Sequence, residues 1–343
     1  MKNSIIISEY DYSQKNAGPK AKVDIERILN KEYNIKIKTF KKDKSFEFNY
    51  VKRLVRLLQK MMYCFLMIKK GSVLVVQAPF TTKRIIPTRR KYEKIVIIHD
   101  IEGLRSGSNR ILLKETQFYN SFEKIIVHNE RMKEYLTDHG IDNNKMIAIE
   151  FFDYLCNSNN IKEVNNIKVG QNINVVYMGN LSYKKAPFLR QLESERMKFK
   201  INAYGNDGDD IQNGNIYLKG SLLPDDAPSN IIGDFGLVWD GNIDESDEYV
   251  GAKNYTKYNN PHKLSCYLAA GLPVIVWEKA AIANIVKKYN IGYTIRNVYD
   301  INNIDLSDYS IKRKNVAKIG KRIRSGYYTK KATKAIMNKY EAE

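Results

Sequence analysis

The sequence predicts an α/β protein built from two doubly wound domains, each with a parallel sheet that carries helices on both faces. Three observations lead to this prediction. Short apolar strands alternate with helical segments along the chain. Most of these strands are continuous runs of β-branched residues, which is typical of strands buried on both faces. The length of 343 residues is more typical of two domains than of one.

The first domain is predicted over residues 1–160 and contains five apolar runs that we interpret as strands. They are SIIISEY, GSVLVVQAPF, KIVIIHD, KIIVHN and MIAIEFFDYL. After the first strand lies YVKRLVRLLQKMMYCFLMIKK, which begins at Tyr50 and is predicted to be a helix packed on the sheet. Its apolar residues at helical spacing are Leu54, Leu57, Leu58, Met61, Met62 and Phe65. Because the segment is also basic, contact with an anionic membrane surface is an alternative interpretation.

The second domain is predicted over residues 170–320. The segment from Cys156 to Asn172 is rich in Asn and Lys, has no apolar face, and is interpreted as a linker between the domains. Six more strand-like runs follow it: INVVYMGNLS, FKINAYGN, NIYLKGSL, FGLVWDGN, LPVIVWEK and IGYTI. The basic tail from Ile311 predicts one or two further helices.

Composition limits the function classes. The net charge of +19 attracts anions such as nucleic acid, acidic lipid or phosphorylated substrates. No alternation of aromatic and basic residues predicts an RNA-binding module, and we expect no nucleic-acid partner. The 3 cysteines and 4 histidines contain no CxxC or HExxH pattern, so we expect no metal site and a reducing, cytoplasmic location. No signal peptide is recognisable, and no apolar run approaches the ~20 residues of a membrane-spanning helix.

Ligands of open α/β sheets bind beyond the carboxyl ends of the strands, so polar residues at these positions are candidates for chemistry. His99 and Asp100 follow the strand KIVII, and Arg105 lies in the predicted loop after them. A carboxylate at this position could remove a proton from a hydroxyl, with His99 as the alternative base. The competing interpretation is that Asp100 caps the next helix and His99 is a structural polar residue.

A turn that contains Asn16 and Gly18 precedes a helix predicted to begin near Pro19. Such a turn can contact a phosphate or a sugar, or it can be a simple loop. It does not match the GxGxxG pattern with a following acidic residue, which argues against an NAD site.

Three strand exits of the second domain carry candidate ligand contacts. Gly179 and Asn180 follow the first strand, and Gly179 permits close approach of the backbone to a ligand. Tyr204 and Gly205 form a candidate platform for a nucleobase, and Asp240 ends a third strand. Ordinary glycine turns explain the same pattern. A DxD pattern in the segment 207–210 lies among Gly and Asn residues and is interpreted as a solvated turn rather than a metal site.

The stretch NNPHKLSCYLAAGLPVIVWEK, from Asn259, predicts a helix that leads into a buried strand. Asn260 is predicted as its N-cap and Pro261 as its first helical residue, with His262 and Lys263 in the first turn. A lysine there opposes the helix dipole, unless an anion binds at the same place. Amide hydrogens and the ammonium group would then hold a diphosphate together. The alternative is an exposed lysine that costs only a few tenths of a kcal/mol.

Taken together, several long motifs resemble those of a known family. In order they are YDYSQKNAGPKAKVD, IIHDIEGLRSG, FDYL, YMGNLSYKKAPF, FGLVWDG, YNNPHKLSCYLAAGLPVIVWEKAA and IRSGYY. The chain resembles bacterial β-1,6-galactofuranosyltransferases of O-antigen and surface-polysaccharide synthesis, and more distantly the glucosyltransferases that modify adhesins. The resemblance implies a GT-B fold, in which two Rossmann-like domains face a cleft and a C-terminal helix, residues 321–343, returns to the first domain.

The resemblance also implies residue roles and a reaction. Gly179 and Asn180 would lie by the diphosphate of a UDP-sugar and Tyr204 with Gly205 by the uracil, while Asp240 would lie near the donor sugar. The segment from Asn260 to Lys263 would form the diphosphate-binding helix start. Asn16, Gly18, Arg105 and Asp100 are expected on the acceptor side.

We therefore expect an inverting, metal-independent hexosyltransferase that uses a UDP-sugar as co-substrate and no cofactor. It would move galactofuranose to a saccharide acceptor, which is free or lipid-linked. The alternatives are a UDP-glucose glucosyltransferase of the same fold and a non-catalytic nucleotide-binding subunit of a polysaccharide assembly complex. Peripheral contact with the inner membrane face and homo-oligomer formation are both compatible with the sequence.

Overall fold

The structure is a computed structural model that describes residues 4–10, 17–41, 50–68, 71–80, 92–156, 172–245 and 255–337. The chain divides into two compact units. Unit 1 comprises Met1–Leu104, Ser108–Ile149 and Thr329–Glu343, and unit 2 comprises Arg105–Gly107 and Glu150–Tyr328. The predicted linker falls largely on residues 157–171, which lie outside the described residues.

Each unit contains one parallel six-stranded sheet. The strands of the first are β1 (Ile5–Tyr10), β2 (Lys36–Lys41), β3 (Val73–Ala78), β4 (Glu93–Ile98), β5 (Lys124–Val127) and β6 (Met146–Ala148). Those of the second are β7 (Ile173–Met178), β8 (Phe199–Tyr204), β9 (Ile216–Leu218), β10 (Phe235–Val238), β11 (Val274–Trp277) and β12 (Gly292–Ile295). The helices are α1 (Ala17–Tyr33), α2 (Tyr50–Met67), α3 (Glu102–Ser106), α4 (Asn109–Asn120), α5 (Glu130–Asp138), α6 (Phe188–Gln191), α7 (Ala227–Asn230), α8 (His262–Ala269), α9 (Ala281–Tyr289), α10 (Tyr309–Arg324) and α11 (Tyr327–Met337).

The sheet of unit 1 has the strand order β2-β1-β3-β4-β5-β6, and all its strand pairs are parallel. Every residue of β1 and β3 is buried, because helices cover both faces of a parallel sheet. This explains why their sequences are continuous apolar runs rather than alternating ones.

Two strands of unit 1 differ from the sequence prediction. β2, with the sequence KIKTFK, pairs with β1 at the edge of the sheet and was not predicted, since its lysines mask the apolar pattern. The run MIAIEFFDYL forms only the three-residue strand β6. It ends there because Glu150 adopts a left-handed conformation with φ of 65°.

Helix α2 packs against the core of unit 1 as predicted, but only part of its apolar stripe is buried. Leu57 is partly buried against the core, and Cys64 is fully buried. Leu54, Leu58, Met61 and Met62 are instead exposed. The predicted stripe includes residues that stay exposed, because a helix that packs on a sheet buries only the residues facing the sheet.

The sheet of unit 2 has the order β12-β11-β10-β7-β8-β9. β7, its first strand in the chain, lies at the centre between β8 and β10. The connections from β7 therefore lead one way to β8 and β9, and the later strands lie on the other side. The point between β7 and β10, where the order reverses, is the place where doubly wound sheets bind ligands.

The basic tail forms two helices. α10 packs against α8 so closely that a Cβ on Gly320 would lie 2.3 Å from the carbonyl oxygen of Leu268. The chain turns at Gly326, which has a φ of 76°, and then enters α11. From Thr329 onward α11 belongs to unit 1, where the Thr333 and Tyr33 hydroxyl oxygens are 3.5 Å apart. None of the helices, over the residues that the structure describes, has the length and hydrophobicity needed to cross a bilayer.

Candidate functional site

The candidate site lies in unit 2, at the carboxyl ends of β7 and β10. Lys263 extends from the first turn of α8 to this point. Its ammonium nitrogen is 2.8 Å from a carboxylate oxygen of Asp240, and it donates to the Trp239 carbonyl at 3.1 Å. A Cβ added to Gly179 would lie 3.8 Å from the same nitrogen. The fold thus brings together Gly179, Asp240 and Lys263, which the sequence analysis singled out from three separate segments.

Two tyrosines that the sequence analysis missed support this group. The Tyr177 hydroxyl donates to Asp240 at 3.2 Å, and the Lys263 ammonium lies 4.6 Å from the centre of the Tyr177 ring. The Tyr267 hydroxyl accepts the Met178 amide hydrogen at 2.7 Å and fixes the end of β7. Burial first, and then the nearby Asp240 charge, raises the pKa of Tyr177 well above its usual value, so its hydroxyl stays protonated.

A signal for Tyr177 existed in the sequence. It lies two residues before Gly179, and alternate residues of a strand point to the same face. Without the strand order, however, nothing in the sequence relates Tyr177 to Asp240 or to Lys263.

Position 205 requires glycine because the ends of two strands approach each other closely there. A Cβ on Gly205, which has a φ of 158°, would lie 1.8 Å from the Gly179 carbonyl oxygen. The Gly179 amide in turn donates to the Tyr204 carbonyl at 3.0 Å. The exits of β7 and β8 are therefore held against each other, and only glycine fits at position 205.

Asn180 lies at a turn beside this pair. Its side-chain amide donates to Asp207 at 3.1 Å, and its side-chain oxygen accepts the Ser182 amide hydrogen at 2.8 Å. Within the predicted solvated turn, Asp210 forms an ion pair with Arg190. Asn180 thus shapes the loop after β7 through contacts with its own chain.

The start of α8 differs from the prediction by one residue. Asn260 is not the N-cap: its side-chain amide donates to the Glu150 carbonyl at 2.7 Å, which ties the segment before α8 to the beginning of unit 2. Pro261 is the N-cap instead of the first helical residue, because its ψ of 137° is extended. Pro261 has no side-chain acceptor, so no side chain at the N-cap position competes for the first-turn amide hydrogens.

His262 is the first residue of α8, and its ring packs against an aromatic side chain. The imidazole stacks on the Tyr154 ring with 4.8 Å between centroids, and both ring nitrogens are buried. The His262 imidazole therefore has a packing role within unit 2, and the diphosphate site at this helix start stays a prediction that depends on the first-turn amides and Lys263.

Tyr204 is also corrected as a stacking platform. Its side chain is only 5% exposed, and its hydroxyl accepts the Ile232 amide hydrogen at 3.1 Å. A ring enclosed in this way presents little face to a nucleobase. Burial raises the pKa of Tyr204 as well.

In unit 1, His99 and Asp100 follow β4 and are both half-buried. A ring nitrogen of His99 is 2.7 Å from the Gln77 side-chain oxygen. The amide hydrogens of Glu102 and Gly103, at the start of α3, donate to the buried carboxylate of Glu115 at 3.1 and 2.8 Å. The Glu115 carboxylate therefore binds two amides of the first turn of α3.

The structure shows less about the other residues predicted on the acceptor side. Arg105 lies within α3 rather than in a loop and is half-buried. Gly18 lies inside α1, which begins at Ala17 and not near Pro19. Asn16 lies outside the described residues.

Two models of known protein-family domains match this chain. Models of the N-terminal and C-terminal domains of glucosyltransferase 3-like proteins match residues 3–151 and 175–336. The β-1,6-galactofuranosyltransferase WbbI of Escherichia coli (strain K12) is 31% identical over 69% of this chain and 69% of its own. Glucosyltransferase 3 of Streptococcus parasanguinis is 24% identical over 77% of this chain and 78% of its own.

Solved structures agree on the fold. HepE from Anabaena in complex with UDP matches 99% of this chain and 100% of its own, with a TM-score of 0.59 and 11% identity. The lipopolysaccharide outer core galactosyltransferase WaaB matches 98% of this chain and 99% of its own, with a TM-score of 0.62 and 11% identity. With two parallel Rossmann-like sheets and both family models matched in order, the chain belongs to the glucosyltransferase 3-like family of glycosyltransferases and has the GT-B fold.

Proposed function

We propose that this glycosyltransferase moves galactofuranose from UDP-galactofuranose to a sugar hydroxyl during the synthesis of a surface polysaccharide. The relative WbbI, with its β-1,6-galactofuranosyltransferase activity, supports the choice of sugar. The structural likeness to HepE, whose solved structure contains UDP, supports a uridine nucleotide as carrier. The acceptor is a saccharide, and a lipid-linked form would bring the enzyme to a membrane surface.

The observation that carries this proposal is the position of the Lys263 ammonium. It lies between the exits of β7 and β10, where doubly wound sheets bind ligands, and next to the uncovered backbone at Gly179. A diphosphate in this place would receive the ammonium and the first-turn amide hydrogens of α8. Asp240, which is already 2.8 Å from Lys263, would lie at the sugar end of the donor.

The proposed reaction is a displacement at the anomeric carbon. The acceptor hydroxyl loses its proton to Asp100, our candidate base, with His99 as the alternative. Its oxygen forms a bond to the anomeric carbon while the bond to the diphosphate oxygen breaks, and UDP leaves with the electron pair. Lys263 and the start of α8 stabilise the negative charge that develops on the leaving diphosphate. A single displacement inverts the anomeric configuration.

A second candidate, transfer of glucose from UDP-glucose, is favoured by a specific observation. The family models and the streptococcal relative are glucosyltransferases, and the relative covers more of this chain than WbbI does. The binding chemistry for UDP is the same in both cases, so the sugar has to be identified by experiment.

The test measures UDP released from UDP-galactofuranose and from UDP-glucose with saccharide acceptors, and UDP affinity by calorimetry. We expect turnover with UDP-galactofuranose. Lys263→Met should weaken UDP binding about 10- to 100-fold, because it removes a charged hydrogen bond worth about 1.5–3 kcal/mol and leaves Asp240 beside the diphosphate. Lys287→Met removes an exposed lysine on α9 and serves as the matched control. Unchanged UDP affinity in Lys263→Met would refute the diphosphate assignment.

The variant Asp100→Asn distinguishes an enzyme from a non-catalytic nucleotide-binding subunit. As the base, Asp100 should be required for transfer but not for binding, so the variant should lose UDP release while its UDP affinity stays at the wild-type value. Full activity in this variant would move the base to another residue, with His99 tested next. Wild-type binding of UDP with no turnover of either donor would favour the binding subunit.

A further inference from the structure

Strand β3 carries a polar side chain inside the sheet of unit 1. Its sequence is VLVVQA, every residue of it is buried, and Gln77 is 0% exposed. A side-chain amide placed in such a strand destabilises the fold unless both its nitrogen and its oxygen are hydrogen-bonded. The partners of Gln77 therefore show what the residue is for.

The nitrogen of the Gln77 amide faces acceptors. It donates to the Ser8 hydroxyl oxygen at 2.8 Å and to the Lys22 carbonyl at 3.1 Å, and it is 3.5 Å from a carboxylate oxygen of Glu26. A carbonyl oxygen accepts hydrogen bonds and cannot donate them. Rotation of the amide by 180° would place its oxygen against the Lys22 carbonyl oxygen, so the orientation of Gln77 is fixed.

The oxygen of the Gln77 amide therefore faces His99, whose Nε2 is 2.7 Å away. Because an amide oxygen can only accept, Nε2 has to carry a proton. A neutral imidazole has one N–H, and the hydrogen bond made by one ring nitrogen decides the state of the other. The lone pair of neutral His99 is thus on Nδ1. The His99 backbone is also tied to β3, since its amide donates to the Ala78 carbonyl at 2.9 Å.

We propose that Gln77 is a positioning residue for sugar transfer: it fixes the Nε2–H tautomer of His99, so that Nδ1 accepts a hydrogen bond from a hydroxyl of the saccharide acceptor. His99 follows β4 at the carboxyl end of the sheet, where open α/β sheets bind ligands, and it is adjacent to the candidate base Asp100. With the opposite tautomer, Nδ1 would carry a hydrogen and could not accept. The saccharide contact rests on the proposed function, whereas the tautomer can be measured without any substrate.

The first test is nitrogen NMR of the histidine rings in the full chain, labelled with ¹⁵N at histidine only. The chain has 4 histidines, and the signals of His99 are those that disappear in His99→Gln. The spectra are recorded at about pH 8, above the ordinary histidine pKa of about 6.5. We expect a protonated Nε2 and an unprotonated Nδ1 for His99. A proton on Nδ1 would overturn the proposal, and this result does not depend on the folding of any Gln77 variant.

The second test is Gln77→Met, which keeps the length of the side chain and removes both hydrogen-bonding groups. UDP release is measured with UDP-galactofuranose or UDP-glucose and a series of methyl hexosides as acceptors. We expect kcat/KM for the acceptor to fall about 3- to 10-fold, the value of one hydrogen bond. The ring signals of His99 should move toward the average of the two tautomers. UDP affinity should be unchanged, because Lys263 and α8 lie in unit 2.

The matched control is Thr116→Val, which removes a buried hydroxyl of unit 1 that donates to the Leu113 carbonyl. It should leave the acceptor kinetics and the His99 signals at their wild-type values. If Gln77→Met also keeps both at wild-type values, Gln77 is only structural and the proposal is wrong. A wild type that turns over neither donor would contradict the proposed function and the saccharide contact with it, while the spectra would still decide the tautomer.

Discussion

Lys263 shows how a single residue that violates a local rule can locate a site. A cation in the first turn of α8 opposes the helix dipole, and the structure shows what compensates for it. The ammonium pairs with Asp240 at 2.8 Å and lies over the Tyr177 ring. The lysine side chain is 14% exposed, so the pair is partly desolvated and oriented before any ligand binds. A diphosphate would meet a cation that is already fixed in position.

The buried His128 makes the stability of the protein depend on pH. It follows β5, it is 2% exposed, and a ring nitrogen is 3.1 Å from the Ile98 carbonyl oxygen. Burial lowers the pKa of His128 to about 4, from an ordinary value of 6.5. Between these values the unfolded chain binds a proton that the folded protein does not bind. Its contribution to stability is therefore present above pH 6.5 and is lost as the pH falls toward 4.

We expect His128→Gln to reduce the loss of stability on acidification. From pH 7 to pH 5 the free energy of unfolding of the wild type should fall by about 2 kcal/mol more than that of the variant. Urea titrations at the two pH values measure this difference. The control His139→Gln changes an exposed histidine and should keep the wild-type decrease. An identical decrease in wild type and His128→Gln would show that folding does not lower the pKa of His128.

At the residue scale the sequence predicted the backbone positions of the site better than its side chains. Gly179, Asp240 and Lys263 were found because each follows a strand or begins a helix. The stacking platform predicted for Tyr204 did not allow for the burial of its ring, because whether a ring is covered depends on segments distant in sequence, such as Ile232. Tyr177 was missed for the same reason.

At the scale of elements, the position of α8 depends on α10. Gly320 brings the two helices together, and Arg324 donates to the Ala269 carbonyl at the end of α8 at 2.6 Å. Both contacts act on the last turns of the helix whose first turn carries Lys263. A rigid α8 is needed if the ammonium is to keep its place between β7 and β10.

Gly320→Ala tests this packing. The new methyl group would meet the Leu268 carbonyl oxygen at 2.3 Å, so the helices have to separate. Overpacking costs about 1–3 kcal/mol, which we expect to exceed the gain of about 1 kcal/mol from removing a helical glycine. Urea denaturation should show a net loss of stability, whereas Lys318→Ala at an exposed position of α10 should change it little. A stabilised Gly320→Ala variant would contradict the close helix contact.

The elements themselves were predictable where one physical property dominated. Fully buried strands such as β1 and β3 are apolar throughout and were recognised. The edge strand β2 was missed because lysines interrupt its apolar pattern. β6 was predicted too long because apolar residues continue after the strand ends at Ala148. For α2, nothing in the sequence decides which part of a wide apolar arc is covered by the sheet.

For the whole molecule, the net charge of +19 creates a field that attracts any polyanion. Such attraction falls steeply with salt because it depends on the release of counterions. Binding of UDP at the candidate site would also involve a fixed ammonium and helix amides, which salt screens less when they are partly buried. The two contributions can therefore be separated by ionic strength.

Thermal unfolding with UDP, or with a short single-stranded oligonucleotide, at low and high salt makes this separation. UDP at about a hundred times its Kd should raise the Tm by roughly 5 °C, and much of this shift should persist at high salt. Any shift from the oligonucleotide should disappear at high salt. Lys263→Met should show at most about half of the UDP shift, and it should keep the response to the oligonucleotide because it removes only one of the 57 basic residues. If the UDP shift vanishes at high salt as the oligonucleotide shift does, UDP binds through general charge attraction and not at the candidate site.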